Sequence, residues 1–349
     1  MKKKVTRKMK RFPVFMAAWM VLLALTLLSC AKKESTVSEN GLFKLRCVTQ
    51  TTASETIIAD QLGFFADEGI EIVYVGSLGQ GVTQFQAIAQ GDIDVFTQGH
   101  ITSVVQARLA GLMVVNVAPG FVDDAENHHV TYLVREDDRT LKTLDDLPGH
   151  KVGISGPGVC IDGFIRVYLE DRGLDYSTVQ YITMPQTGQP EQAVLQGLID
   201  VTTSHSPFGG VALARGGVRE LGSSWDIFHS PSAGLATRGF SEDFIAKHPD
   251  IVQSWSNAMY RARVFSKTNP EYAKKACADY LGLDPADISV NVYDQHKNYE
   301  PEYVQQWFDL SERLGYWKKG ESLPEDAYTN AFIPKDVPAT DADIGKQGI

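Results

Sequence analysis

An internal repeat constrains the fold of this chain more than any other feature of its sequence. Residues 87–95 and 193–201 are identical at six of nine positions, at an offset of 106 residues. The same offset aligns an apolar, β-branched pattern at 45–49 with another at 151–155. A chain of 349 residues has room for two domains. We therefore expect two copies of one structural unit.

The repeated unit has the pattern of an α/β fold. Residues 151–173 predict a strand, then a loop with Gly156 and Gly158, then a helix that ends at Gly173. Such a loop leaves the first backbone N–H groups of the helix unpaired and available to a polar ligand group. The order of strands and helices in both copies predicts a mostly parallel, doubly wound sheet flanked by helices.

Two segments predict that the chain passes between two lobes. An alternating β pattern at 130–134 carries the chain out of the first copy, and 232–237 favours a return crossing. We expect a two-lobed clamshell with a hinge near 131–135 and 233–237. We assign 42–133 and 234–349 to the first lobe, and 134–233 to the second. The later helices carry three apolar stripes, which we expect to pack on the first lobe as core; the third contains Tyr303, Trp307, Leu310 and Leu314.

The N-terminus is typical of a secreted protein. Residues 1–29 hold seven basic residues, no acidic residue and an apolar run, which indicates a signal peptide; an uncleaved anchor helix is the alternative. Residues 27–30 resemble the lipobox of bacterial lipoproteins, so we expect Cys30 to be lipidated and 30–41 to be a flexible tether. This predicts an extracytoplasmic, lipid-anchored protein. Loss of the leader changes the formal charge from −10 to −17, which disfavours nucleic-acid binding.

Three cysteines follow the leader: Cys47, Cys160 and Cys277. An odd number argues against a disulfide framework, and the apolar patterns around Cys47 and Cys277 favour buried thiols. Cys160 opens the central helix, where a thiol can be a nucleophile of lowered pKa. No partnering base stands at a recognisable spacing, so packing is the favoured interpretation.

Four segments, at 63–70, 90–95, 144–153 and 196–201, resemble the recurrent segments of periplasmic substrate-binding proteins of ABC importers. The branch is the nitrate, taurine, aliphatic-sulfonate and thiamine-pyrimidine-precursor group, which has the type II periplasmic binding protein fold. The resemblance implies a two-lobed clamshell that closes on one small solute and delivers it to a membrane permease. It implies a monomer without a cofactor.

The resemblance also places the ligand-contacting loops. The residues that match these loops are Thr51, Thr52, Ser54, Gly79, Gln80, Gln98, Gly99, His100, Gly156, Gly158, Val159, Cys160, His205, Ser206 and Phe208. Many relatives have Trp-Glu-Pro at the last loop, where this chain has His205 and Phe208, so we expect a different ligand group there. Asp162 either complements the helix dipole or contacts the ligand, and as a contact it would oppose a bound anion.

Several polar and aromatic residues have two interpretations. His100 and His205 occupy equivalent loops of the repeat, and each is either a structural group or a ligand contact. His128 and His129 follow acidic residues, but their spacing fits no zinc template, so we expect a solvated crossover loop and no metal site. Phe121 is either core or cleft wall, and Arg166 is expected to be a surface cation.

The sequence lacks the common catalytic motifs. It has no Gly-x-Ser-x-Gly elbow, no His-Glu-x-x-His pair and no Walker loop. The cysteine-rich motif of the family's pyrimidine-synthase branch is also missing. We therefore expect a binding protein and no enzyme, with an extracellular enzyme or a solute sensor as the alternatives of a different class. A sulfonate such as taurine is the first expected ligand, a pyrimidine precursor the second and nitrate the third.

Overall fold

The structure is a computed structural model that describes residues 36–76, 82–154, 156, 158–184, 188–205, 208–288 and 293–336. The predicted leader, Cys30, the first part of the tether, Gly79, Gln80 and Ser206 lie outside the described residues. None of the helices found within the described ranges combines the length and the apolar character that crossing a bilayer requires.

Five strands belong to the first lobe. Strands β1 (Phe43–Cys47) and β2 (Ile70–Tyr74) pair in parallel. Strands β3 (Val95–Phe96), β4 (Val114–Pro119) and β10 (Thr237–Ser241) form a sheet in the order β3-β10-β4. Strand β10 is antiparallel to both of its neighbours.

The second lobe contains a five-stranded sheet. Its strands are β5 (Val130–Arg135), β6 (Lys151–Ile154), β7 (Gln180–Thr183), β8 (Val201–His205) and β9 (Val218–Ser223), in the order β7-β6-β8-β5-β9. Strand β6 is parallel to β7 and β8, whereas β5 is antiparallel to β8 and β9. All of these strands except β5 therefore run in one direction, as the prediction of a mostly parallel sheet requires.

The strand that runs against the others in each lobe is the one that crosses between lobes. Strand β5 follows the first copy in the chain but pairs only in the second sheet, and β10 follows the second copy but pairs in the first. Residues 130–133, which the sequence assigned to the first lobe, therefore already belong to the second sheet. The sheet boundary lies near 130, because the alternating pattern marks a strand without showing which sheet contains it.

Helices flank both sheets. Those before β5 are α1 (Glu55–Gln61), α2 (Phe64–Asp67), α3 (Val82–Gln90) and α4 (Ile101–Leu109). Those between β6 and β10 are α5 (Phe164–Asp171), α6 (Gln189–Leu195), α7 (Phe208–Arg215) and α8 (Ser224–Phe228). Those after β10 are α9 (Glu242–Lys247), α10 (Pro249–Thr268), α11 (Pro270–Leu281), α12 (Pro301–Leu314) and α13 (Pro324–Ala327). Gly173 follows α5 with φ 68°, the left-handed conformation expected of its cap.

The C-terminal helices divide between the two lobes. Trp255 and Met259 of α10 and Cys277 of α11 join the buried core of the first lobe, as predicted. The third stripe differs in part from the prediction, because Trp307 and Leu310 of α12 join a buried cluster that comes mainly from the second lobe. This cluster also contains Ile101 and Val105 of α4 in the first lobe. An amphipathic pattern shows that one face of a helix is buried, but it does not identify the surface that covers this face.

Candidate functional site

Two histidines from equivalent loops of the repeat pack against one common ring. His100 directly precedes α4 in the first lobe, and His205 is the last residue of β8 in the second lobe. The His129 ring lies between them, with its centroid 4.8 Å from that of His100 and 5.0 Å from that of His205. The equivalent loops of the two copies therefore converge on one place between the lobes.

Cys160 lies at the same place. It belongs to a π-helical turn, Val159–Gly163, which precedes α5. Its Sγ atom is 3.5 Å from Nε2 of His205, and its side chain is buried. His100, His129 and Cys160 each offer one ligand atom, and these three atoms lie within 4.8 Å of one another. We call His100, His129, Cys160 and His205 the His–Cys cluster.

The expectation that His129 belongs to a solvated loop is wrong. Its side chain is 1% exposed, and its backbone N–H donates to Oδ1 of the buried Asp123 at 2.6 Å. A Cβ atom added to Gly234 would lie 3.2 Å from Cβ of His129, so the return crossing covers this residue closely. His128, by contrast, points away to Glu220, with Nε2 3.3 Å from Oε1. His128 and His129 directly precede β5, and adjacent residues of an extended chain point to opposite sides. The sequence therefore predicts that only one of the two faces the cluster, once β5 is known to begin at 130.

Burial keeps the cluster uncharged at neutral pH. Burial, followed by the nearby His205 and Arg238, lowers the pKa of His100 to about 3. Burial lowers the pKa of His205 to about 4, and burial together with the two other imidazoles holds the pKa of His129 well below its usual range. Burial also raises the pKa of the Cys160 thiol to about 12. A thiol that keeps its proton is a poor nucleophile, which agrees with the packing interpretation of Cys160.

Aromatic rings surround the cluster. The Trp307 ring lies 5.0 Å from that of His100, and the Phe121 ring lies 5.2 Å from that of His129. Phe121 therefore adjoins the site, and Trp307 of α12, which the sequence predicted only as core, adjoins it as well. The aromatic stripe of α12 gave no signal that one of its rings would reach His100.

The first predicted loop meets the third through side-chain hydrogen bonds. Gln98 lies two residues before His100, and its Nε2 donates to Oγ1 of Thr52 at 3.4 Å. The carbonyl oxygen of Gly99 accepts from the backbone N–H of Thr237 at 2.8 Å, which joins this loop to the return crossing. Thr51 is exposed.

Ser54 has a structural role that the sequence prediction missed. Its hydroxyl accepts from the backbone N–H of Ile57 at 3.3 Å and caps α1. The same hydroxyl donates to Oε1 of Gln50 at 3.1 Å. The buried hydroxyl of Ser54 already donates one hydrogen bond and accepts another, and it stabilises the start of α1. Ser54 is therefore a poor choice of ligand contact.

The central glycine loop is held by Asp162. Oδ1 of Asp162 accepts from the backbone N–H of Gly158 at 2.6 Å, so the carboxylate stabilises the start of the helix, in agreement with its structural interpretation. Val159 is buried. A Cβ atom on Gly156 would meet no atom of the described residues within 4 Å, so these residues leave space on that side of the loop.

Asp162 and Phe208, which the sequence predicted as ligand contacts, line cavities to which the His–Cys cluster does not contribute. Asp162 and Arg166 line one beside Leu314 at the end of α12. Arg166 is also paired, because its Nε lies 2.9 Å from Oε1 of Glu170. Phe208 lines a second cavity with Glu191 and Arg215, and no member of the His–Cys cluster is part of that lining.

The sequence matches a family model and is similar to relatives that are named as binding proteins. The family model described as NMT1/THI5 like matches residues 50–273. Riboflavin-binding protein RibY of Chloroflexus aurantiacus is 27% identical over 303 residues, which cover 79% of this chain and 81% of that protein. An Escherichia coli K12 protein, provisionally named an aliphatic sulfonates-binding protein, is 26% identical over 217 residues. That match covers 61% of this chain and 63% of the relative, which is less than two thirds of its length.

A solved structure shows the same fold. The periplasmic aliphatic sulphonate binding protein SsuA from Escherichia coli matches with a TM-score of 0.65 and 19% identity, over 85% of this chain and 94% of that chain. The fold is therefore that of periplasmic binding proteins, as the sequence predicted, and these three relatives are named as binding proteins and not as enzymes. Because the family model spans more than half of its residues, the chain belongs to the NMT1/THI5-like family.

Proposed function

We propose that the protein captures a small organic solute outside the cytoplasmic membrane and delivers it to the permease of an ABC importer. The family, the fold and the names of the relatives support this proposal. The observation that carries it is the contact of His100 and His205 with His129, because equivalent loops of the two lobes reach one place. A solute held there touches both lobes and stabilises their closed arrangement.

A sulfonate such as taurine or an alkanesulfonate is the first choice of ligand. The His–Cys cluster is uncharged at neutral pH, so its imidazole and thiol groups can donate hydrogen bonds to an anion. Helix α4 begins next to His100, and a helix N-terminus favours negative charge. The sulfonate in the names of the Escherichia coli matches supports the same choice.

A planar heterocycle is the second choice. The rings of Trp307 and Phe121 adjoin the cluster and offer faces on which a flat ligand can stack. A thiamine-pyrimidine precursor belongs to this class, and so does the riboflavin in the name of the Chloroflexus relative. Nitrate is a weaker choice, because a small inorganic anion makes no use of aromatic rings that can stack on an organic ligand.

The remaining parts of the proposal come from the sequence. Lipidation at Cys30 would anchor the protein to the outer side of the membrane, and the tether would give it reach to the permease. The protein would act as a monomer, and its negative charge makes nucleic acid an unsuitable partner.

A thermal-shift panel tests the function. Residues 31–349 would be heated with taurine, alkanesulfonates, pyrimidines, riboflavin and nitrate, each in separate samples. A ligand at one hundred times its Kd is expected to add about 2.7 kcal/mol to the free energy of unfolding. Stabilisation by one class identifies the ligand. Chemical turnover of any member of the panel would contradict a transport role.

A further inference from the structure

The ring of His129 has no hydrogen-bond partner in the part of the chain that the structure describes. Both of its ring nitrogens are out of contact with solvent, and the side chain is 1% exposed. Nδ1 of His100 is in the same condition. Buried polar atoms in native proteins almost always have a partner, and a ligand held between these nitrogens would supply one.

The other donors around His129 indicate which ligand this is. One atom each of His100, His129 and Cys160 lies within 4.8 Å of the other two. Nε2 of His205 lies 3.5 Å from Sγ of Cys160. Zinc binds imidazole nitrogen at about 2.0–2.1 Å and thiolate sulfur at about 2.3 Å, so donors in a tetrahedral site lie about 3.3–3.6 Å apart. The Cys160–His205 pair already has this separation. The donor atoms of His100, His129 and Cys160, which lie within 4.8 Å of one another, need to approach by about 1 Å.

We propose that the His–Cys cluster binds one divalent transition-metal ion of the zinc type. Three imidazoles and one sulfur are a donor set that such ions prefer over calcium or magnesium, which take oxygen ligands. Coordination replaces the proton of the Cys160 thiol by the metal, and that proton leaves to solvent. The bound site then carries one net positive charge, from two on the ion and minus one on the thiolate.

The ion would hold the two lobes together. His100 belongs to the first lobe, Cys160 and His205 belong to the second, and His129 lies at the crossing between them. Asp123 fixes the backbone of His129 through its 2.6 Å hydrogen bond, which keeps this ring between the other two. No single lobe supplies the full donor set, so metal binding requires the closed arrangement and stabilises it. The ion would use the same nitrogens and sulfur that the proposed function offers to a sulfonate, so an anionic solute would face the positive charge of the bound ion instead of those atoms. The metal site was not predicted from the sequence.

Cobalt titration of the purified full-length protein in detergent tests the site. Co²⁺ alone, after removal of metals with a chelator, is expected to bind with one-to-one stoichiometry and to give tetrahedral visible bands with a sulfur-to-metal charge-transfer band. Zn²⁺ is expected to displace it. Cys160→Ser should abolish the charge-transfer band. Loss of a residue that only hydrogen-bonds to a metal ligand costs roughly 10–100-fold in metal affinity. His129→Gln removes a ligand itself, so it should weaken Co²⁺ binding by more than this.

His128→Gln is the matched control, because this neighbouring histidine pairs with Glu220 instead of joining the cluster. It should bind Co²⁺ like the wild type. If His129→Gln does not fold, His205→Gln replaces it, since His205 is less buried. Absence of Co²⁺ binding in the wild type, or equal binding in the wild type, Cys160→Ser and His205→Gln, would overturn the proposal.

A second titration separates this inference from the proposed function. Taurine is added to chelator-treated protein, and Co²⁺ is added to protein without taurine. Taurine binding without any metal site would remove the metal proposal and leave solute capture intact. Metal binding without binding of any organic solute would support the metal site and contradict the proposed solute.

Discussion

The indole N–H of Trp307 donates a 2.6 Å hydrogen bond to the backbone carbonyl oxygen of Ser232. The bond joins α12 to the return crossing between the lobes. The hydroxyls of Ser230 and Ser232 both donate to Oε1 of Gln306, on the same helix. Helix α12 therefore holds the crossing segment in place from outside, while the ring of Trp307 contacts His100 on the inside.

Trp307→Phe should lower the free energy of unfolding by about 1–3 kcal/mol, because the carbonyl oxygen of Ser232 loses its donor inside the protein. Urea denaturation measures the change. Trp225→Phe is the control: its ring is partly exposed, and the change should be smaller than for Trp307. Equal effects of the two substitutions would show that the Trp307 hydrogen bond does not stabilise the crossing.

Glu55→Gln should be strongly destabilising. Glu55 and Arg238 form an ion pair of 3.2 Å, with side chains 0% and 2% exposed. Removal of one buried charge leaves the other unpaired, which costs about 3–5 kcal/mol. The exposed pair of Asp243 and Lys247 provides the control, and Asp243→Asn should cost only about 0.3–0.5 kcal/mol. A cost for Glu55→Gln as small as that of the control would contradict a stabilising role for the buried pair.

Arg313→Ala should change stability in a pH-dependent way. The Arg313 guanidinium lowers the pKa of Asp171 by hydrogen bonding. Arg166 first, and Arg313 after it, lower the pKa of Glu170. A carboxylate whose folded pKa is lowered stabilises the protein above its unfolded pKa, about 3.9 for Asp and 4.3 for Glu, and the contribution is lost as pH falls through the folded value.

The variant should therefore be less stable than the wild type at pH 7, by less than about 1 kcal/mol because these groups are partly exposed. The difference should disappear in acid, and high salt at pH 7 should reduce it. Thermal denaturation between pH 7 and pH 3 follows both effects. A difference that stays constant over this range would show that the loss comes from packing.

Gly156→Val tests the central loop. An added side chain would meet no protein atom within 4 Å of its Cβ, so the variant should keep the thermal stability of the wild type. If the solute approaches this backbone, the two methyl groups should weaken its binding by tenfold or more, about 1.4 kcal/mol. Isothermal titration with the solute found in the thermal-shift panel measures this. Unchanged affinity would remove Gly156 from the binding site.

The repeat predicted most of what brings the lobes together. It placed His100 and His205 in equivalent loops before any contact was known; His100 lies between β3 and α4, and His205 ends β8. The strand, glycine loop and helix around Gly156 were also predictable, because turn residues and apolar periodicity are local signals. The two crossings were visible as β patterns, one after each copy.

The parts that could not be predicted depend on contacts between distant segments. The repeat offset pairs His129 with Leu235 and not with a histidine, and the burial of His129 follows from the cover provided by Gly234, about one hundred residues later. The sequence around Ser54 fits a ligand loop and a helix cap equally well, and only the position of Gln50 distinguishes them. The stripe of α12 is apolar whichever lobe it covers.

The exchange of β5 and β10 between the sheets has a mechanical consequence. Each connecting chain is anchored as a full strand inside the lobe that it enters, so rotation of one lobe against the other is confined to the short stretches 120–129 and 229–236. His129 lies at the end of the first stretch, and its ring lies between those of His100 and His205. Opening of the lobes at these stretches would move His100, of the first lobe, away from His205, of the second, so a ligand that bridges both rings would limit the angle of the clamshell.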